Sequence, residues 1–249
     1  MLLDRFARWD RATLDLPGTY YLEVTERVFR QNQIAKGDFV ALGRQVLREA
    51  CGQMRRWRES GIHPPRLALN LSSAQFADGG LVSMVTEVVE EFGLAPGMLS
   101  LELTESTLLQ NAEHAQGVIG QLKAAGVRLV IDDFGAGYSS LGYLKRFEAD
   151  ELKIDESLTR GIENDADDLE IVSAIVSLAR SLRLAVVAEG VETPRQLRLL
   201  EHAGCHLMQG NLIAPPAPAN QIQALLAGGR LPVPDADDLA VGSSASHEG

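Results

Sequence analysis

The sequence predicts an α/β fold built on a parallel sheet, and three observations carry that expectation. From residue 39 onward, helix-like and strand-like segments alternate with little slack. The strand-like segments are short, and VRLVIDD (127–133) is rich in β-branched residues. Each of them also delivers a polar side chain at or near its C-terminal end. Alternation of this kind requires right-handed crossovers, which leaves two architectures: a doubly wound sheet, or one closed into a barrel.

The elements follow in order. Residues 39–59 carry Phe39, Leu42, Val46, Ala50, Met54 and Trp57 as a helical stripe. RLALNLS (66–72) reads as a strand, and Leu81, Val85, Val88 and Phe92 form the apolar face of a helix closed by Gly93. MLSLELT (98–104) is the next strand, followed by a helix over 112–125 that ends at Gly126. VRLVIDD (127–133) and DELKID (150–155) are strands, and 169–182 is a helix. LAVVAEG (184–190) is a strand, and Thr193, Pro194 and Gly204 mark the start and stop of the next helix. HLMQGNLI (206–213) is the last strand expected and 220–227 the last helix. Residues 1–28 settle on no single pattern. Residues 231–249 carry four acids and no Lys or Arg, and read as a disordered acidic tail. The expected organisation is therefore an irregular 1–28, a folded body over 29–230 and a tail over 231–249.

Composition narrows the function. A length of 249 residues suits one α/β barrel or two small domains, and 45% apolar residues suffice for a real core. The formal charge of −11 argues against general affinity for DNA, RNA or anionic membrane. Two cysteines make no disulfide framework, and a reducing compartment suits them. No apolar run approaches the ~18 residues that span a bilayer. A soluble cytoplasmic domain of bacterial type is expected.

The polar strand ends carry the chemistry. Asn70 ends the first strand, Glu102 lies late in the second, and Asp132 and Asp133 close the third. Lys153 and Asp155 end the fourth, Glu189 follows the fifth, and Gln209 lies in the sixth. In a parallel α/β fold these ends share one rim, where active sites form. One such residue is most simply a helix cap or a solvated side chain; a succession of them is a constellation. Asn, Glu and adjacent Asp residues offer hard oxygen ligands, suited to Mg²⁺ or Mn²⁺ rather than zinc. A pair of such ions stabilises the attacking and leaving oxygens of a phosphoryl displacement, and a lysine among them would neutralise a phosphate oxygen. The five histidines show no ligand spacing. FGAGYSSL (134–141) is a flexible connection that positions the site; it lacks the ending of a phosphate-binding glycine loop.

LNLSSAQF (69–76), LELTES (101–106), IDDFGAGYSSL (131–141), LKID (152–155), VVAEGVE (186–192) and the QG at 209–210 resemble the EAL domain family of cyclic-di-GMP phosphodiesterases. The resemblance runs over about residues 29 to 225, with all six motifs in order. It implies a TIM-like (β/α) barrel of the EAL type that hydrolyses cyclic di-GMP to linear pGpG with two Mg²⁺ or Mn²⁺ ions. By the same resemblance, Asn70, Glu102 and Asp132 are ligands of one metal, and Asp132 bridges to a second held also by Asp133. Lys153 contacts the attacking water, Glu189 is the essential glutamate near the second metal, Glu192 supports the site and Gln209 lies beside the water. Glu105 anchors the DDFG loop, and Asp155 is the acid of the lysine motif. Cyclic di-GMP is the implied partner, and a homodimer formed through barrel helices is typical of the family.

The sequence departs from the family pattern at the front. It contains neither the Gln-Pro-Ile strand nor the Glu-Ala-Leu of the second strand, whose Glu is a metal ligand. The first barrel strand is thus missing, through a start site placed too late, or substituted by residues 1–28. DRFARW (4–9) would put Asp4 at the glutamate and Arg8 at the phosphate-contacting arginine; RATLDL (11–16) would put Arg11 at the glutamate instead. Ala136 stands for a usual Thr, and NLIAPPAP (211–218) lacks the aromatic and basic residues that follow the family's QG. Two other readings stay open at this point. One is a degenerate EAL domain serving as a cyclic-di-GMP receptor or protein-interaction module. The other, reached without the family, is a metal-dependent barrel enzyme abstracting a proton from a carboxylate substrate with Lys153 as base. That last reading leaves the DDFGAGYSSL loop unexplained.

Overall fold

The computed structural model describes residues 39–64, 66–110, 112–136 and 144–228. Expectations for Asp4, Arg8, Arg11, the first barrel strand, the 231–249 tail and residues 137–141 of the loop fall outside the described residues. The elements in chain order are α1 (Phe39–Glu59), β1 (Leu67–Asn70), α2 (Ser73–Phe76), α3 (Leu81–Phe92), β2 (Leu99–Thr104), α4 (Glu105–Gln110), α5 (Ala112–Ala124) and β3 (Arg128–Phe134). They continue with β4 (Glu151–Ile154), α6 (Glu156–Gly161), α7 (Ala166–Leu182), β5 (Ala185–Ala188), α8 (Pro194–His202), β6 (Leu207–Met208) and α9 (Ala219–Gly228). The strands make one sheet in sequence order, β1 to β6. β1 pairs with β2, β4 with β5 and β5 with β6, each in parallel. The α/β class and the parallel sheet expected from sequence are both present.

Described residues up to Ile131, with those just before Asp150 and those from Pro216 onward, form one compact unit; Asp132 onward and Asp150–Pro215 form another. In the first, Leu47, Cys51 and Met54 of α1 and Leu81, Val85 and Val88 of α3 are buried where the two helices pack. Each large apolar side chain so buried stabilises by roughly 1.5–3 kcal/mol. Exposed ion pairs, Arg44 to Glu87 and Arg48 to Glu91, each at 2.5 Å, fasten the same helices at the surface. Pairs that open to water contribute little beside the apolar contact. Burial pushes the Cys51 thiol up from its ordinary 9.0 to about 12.

In the second unit, β4 is buried along its whole length. Its alternation sends Leu152 and Ile154 to one face and Glu151 and Lys153 to the other. α7 packs on β4 and β5 and buries Val172, Ile175, Val176 and Ala179. This helix begins at Ala166, three residues before its apolar stripe, because the Asp165 side chain accepts a hydrogen bond from Asp167 N at 2.9 Å and caps it.

Two expectations change. The strand expected over 206–213 is only Leu207–Met208, because Ile213 N and Ala214 N both fold back onto Gly210 O, at 3.0 and 3.1 Å. The short helices α2, α4 and α6 follow β1, β2 and β4 in stretches to which the sequence pattern assigned no element. Among the described residues, no helix is long and apolar enough to cross a membrane.

Candidate active site

The second unit brings four of the expected residues together. Asp132 and Asp133 lie near the end of β3, Lys153 is the third residue of β4, and Glu189 directly follows β5. One carboxylate oxygen each from Asp132, Asp133 and Glu189 lies within 4.8 Å of the others. Lys153 Nζ is 2.6 Å from Glu189 Oε1 and 3.7 Å from Asp132 Oδ1. Backbone bonds hold the three strand ends in step: Asp155 N donates to Phe134 O at 3.1 Å and Glu189 N to Ile154 O at 3.2 Å.

Consecutive residues of a regular strand point to opposite faces. Asp132 and Asp133 nevertheless contribute to one cluster, and Asp133 has a φ of 55°, in the left-handed region. That twist ends the alternation and leaves Asp132 buried and Asp133 exposed at the same group. Asp tolerates this conformation better than most residues. Gly135, at φ 96°, follows, and a Cβ there would lie 2.6 Å from Leu158 Cδ1. The DDFG sequence thus combines two carboxylates with the backbone freedom to present them together.

Glu189 and Gln209 are set by an equally tight arrangement. Gln209 N donates to Ala188 O at 2.8 Å, and Val191 N donates to Gln209 O at 3.0 Å. Gly210 lies so close to this segment that a Cβ would fall 2.2 Å from Val191 O and 2.3 Å from Val191 N. Gly190, at φ 68°, turns the chain past Glu156, whose Cβ would meet a Cβ there at 2.7 Å. The Gln209 side chain is exposed.

The other expected residues are placed as follows. Asn70 and Glu102 are register partners on β1 and β2, in the first unit, and Leu71 N donates to Glu102 O at 2.9 Å. Glu102 is buried and Asn70 half-buried. Glu105 is the first residue of α4. Asp155 is the N-cap of α6, accepting from Ser157 N at 2.8 Å, so its visible role is to start the helix that follows Lys153. The Glu192 side chain is exposed and stands outside the carboxylate group, while its backbone N donates to Gln196 Oε1 at 2.8 Å.

Sequence reasoning missed Gln196, Glu163 and the close approach at Gly210. Thr193–Gln196 and Ser72–Gln75 both form capping boxes. Their S/T-x-x-Q spacing was readable in the sequence.

The cluster suits a hard divalent cation. All its carboxylate donors are oxygens, they outnumber the single ammonium, and buried Asp132 Oδ1 accepts no hydrogen bond among the described residues. A buried carboxylate oxygen without a hydrogen bond, its Lys153 ammonium 3.7 Å away, costs free energy that a cation closer to it would offset.

Carboxylates and a lysine gathered at strand ends of an α/β fold make an oxygen-rich cluster able to hold a hard cation. The EAL domain family profile matches residues 7–216, and the chain belongs to that family, with its TIM-like barrel fold. It is 48% identical over 191 residues to the bifunctional diguanylate cyclase/cyclic di-GMP phosphodiesterase MucR of Pseudomonas aeruginosa, covering 77% of this chain and 28% of that protein. It is 38% identical over 225 residues to the cyclic di-GMP phosphodiesterase NbdA of the same organism, covering 90% of this chain and 28% of that protein. The chain thus spans under a third of the length of these relatives. Among solved structures, the PaMucR phosphodiesterase in complex with c-di-GMP matches with a TM-score of 0.73 at 46% identity, over 79% of this chain and 80% of that one. The EAL domain of Mycobacterium smegmatis DcpA matches with a TM-score of 0.74 at 42% identity, over 78% and 87%. A manganese/cy-diGMP complex of Klebsiella pneumoniae BlrP1 matches at 0.67 and 32% identity, over 74% and 46%.

Proposed function

We propose that this chain is a metal-dependent phosphodiesterase that hydrolyses cyclic di-GMP to linear pGpG. The observation that carries the reading is the convergence of Asp132, Asp133 and Glu189 around Lys153. Family membership and relatives named as cyclic di-GMP phosphodiesterases support the substrate.

Asp132, Asp133 and Glu189 would hold Mg²⁺ or Mn²⁺, and the family resemblance adds Asn70 and Glu102 as ligands. When bound, the ions neutralise charge on the phosphodiester and on the oxygens that enter and leave phosphorus. Lys153 Nζ carries three donors, so it can serve Glu189 and a phosphoryl or water oxygen together. It is fixed in direction by its 2.6 Å contact with Glu189, so no reorganisation is needed as charge develops. Gln209 directly follows β6, and the family resemblance gives its amide the role of orienting the water. The reaction adds water oxygen to phosphorus and breaks one phosphorus–oxygen ester bond. The departing ribose oxygen leaves with a proton, and a linear dinucleotide remains.

The test is incubation of the purified chain with cyclic di-GMP and Mg²⁺ or Mn²⁺, with chromatographic separation of the nucleotides and Asp132→Ala alongside. Linear dinucleotide from the wild type alone is expected. Retention of intact nucleotide without product would make the chain a receptor, the reading that its missing Glu-Ala-Leu favours.

A further inference from the structure

We infer that Gln196 is a positioning residue for Glu189, acting through a clasp with Thr193 and Glu163; the inference rests on reading Glu189 as part of a metal site. The bridge from β5 to α8 is short, Glu189 to Thr193, and its near end is tied by Glu189 N to Ile154 O at 3.2 Å. Its middle residue, Val191, is fully buried and exchanges backbone bonds with Gln209 and Leu212, both at 3.0 Å. Its far end is held by one side chain. Gln196 Oε1 accepts from Glu192 N at 2.8 Å and from Thr193 N at 3.0 Å. Thr193 Oγ1 accepts from Gln196 N at 3.1 Å and donates to the Glu163 carboxylate.

In a capping box the N-cap side chain takes the N–H of the third helical residue, whose side chain in turn takes only the N-cap N–H. Here the same oxygen also takes the N–H of Glu192, one residue further out, toward Glu189. Gln196 is 4% exposed, so water does not replace it readily. Loss of its carbonyl would leave two backbone donors to find new partners. The chain would adjust at Gly190, whose left-handed φ of 68° makes it the turn of the bridge. That turn adjoins Glu189, whose 2.6 Å contact with Lys153 tolerates little displacement.

Both clasp bonds use Gln196 as an acceptor, so Gln196→Glu keeps them and Gln196→Ala removes them. Mn²⁺ binding, followed by electron paramagnetic resonance without nucleotide and normalised to folded protein by circular dichroism, reads the effect. Gln196→Ala is expected to weaken Mn²⁺ binding by about tenfold, the usual scale for groups that orient ligands. Gln196→Glu is expected to restore it, and Gln196→Ala to add nothing in a Glu189→Gln background. Equal weakening in both backgrounds, or a lowered Tm with unchanged Mn²⁺ affinity, overturns the inference and leaves Gln196 as a cap alone. If Glu189→Gln itself leaves Mn²⁺ binding unchanged, the metal reading of Glu189 fails, and the inference falls with it.

Discussion

Lys153 Nζ lies 2.6 Å from Glu189 Oε1, and the two side chains are only 5% and 17% exposed. Few charge pairs in the described residues are so enclosed: Arg44–Glu87, by comparison, is 46% and 55% exposed. A buried ion pair is a weak source of net stability, because desolvation offsets its attraction. Its presence at the strand ends is better explained by what the charges do there.

Removing the ammonium takes away the cation that Asp132 and Glu189 share. Lys153→Met is therefore expected to destabilise the metal-free protein by about 3 kcal/mol. Added Mn²⁺ should raise the Tm of the variant by more than it raises that of the wild type, since the ion substitutes for the lost charge. Scanning calorimetry with and without Mn²⁺ checks both; equal metal-induced shifts would contradict the electrostatic account.

Asp133 combines a carboxylate with a left-handed backbone, and substitutions separate the two. Ala at φ 55° carries a penalty of about 1–2 kcal/mol that Gly avoids. Asp133→Gly should thus be more stable than Asp133→Ala in urea. Both should lose cyclic di-GMP hydrolysis, because both lack the carboxylate. An active Asp133→Gly would remove Asp133 from the site.

Gly210 has backbone on its open side, not a side chain that can turn away. A methyl group 2.2 Å from Val191 O forces the segments apart. Gly210→Ala is expected to cost about 3 kcal/mol, the upper end for overpacking. A urea midpoint within error of the wild type would show that the segment yields more easily than its contacts suggest.

Cys51 and Cys205 are both buried, and burial raises both thiols, Cys51 to about 12. The thiolate is the reactive form, so a raised value keeps both protonated at pH 8. Native protein should react negligibly with a thiol-disulfide reagent there, and both cysteines should react once it is unfolded. Fast labelling of the native chain would indicate local opening around α1 or β6.

Much of the fold was legible because hydrophobic periodicity is a local property. The α1 stripe, the Gly93 stop and the Thr193–Pro194 start all coincide with structure. α2 and α6 escaped because four and six residues are too few to show a 3.6-residue period. β6 was overestimated because alternation in LMQGNLI cannot report that Gly210 meets the Val191 backbone. That contact joins two distant stretches of chain.

The class of fold, the family and the residue types that end each strand were legible in the chain, since these depend on local pattern and residue chemistry. Folding was needed to bring Asp132, Asp133, Lys153 and Glu189 into one cluster, to carry Asp133 there through a left-handed turn, and to leave Glu192 exposed. The fold also brings Gln196 Oε1 to Glu192 N and Thr193 N, and Glu163 to Thr193 Oγ1. The reason is physical: a side chain's chemistry is written at its own position, but its charge environment and its orientation come from segments brought beside it by the sheet.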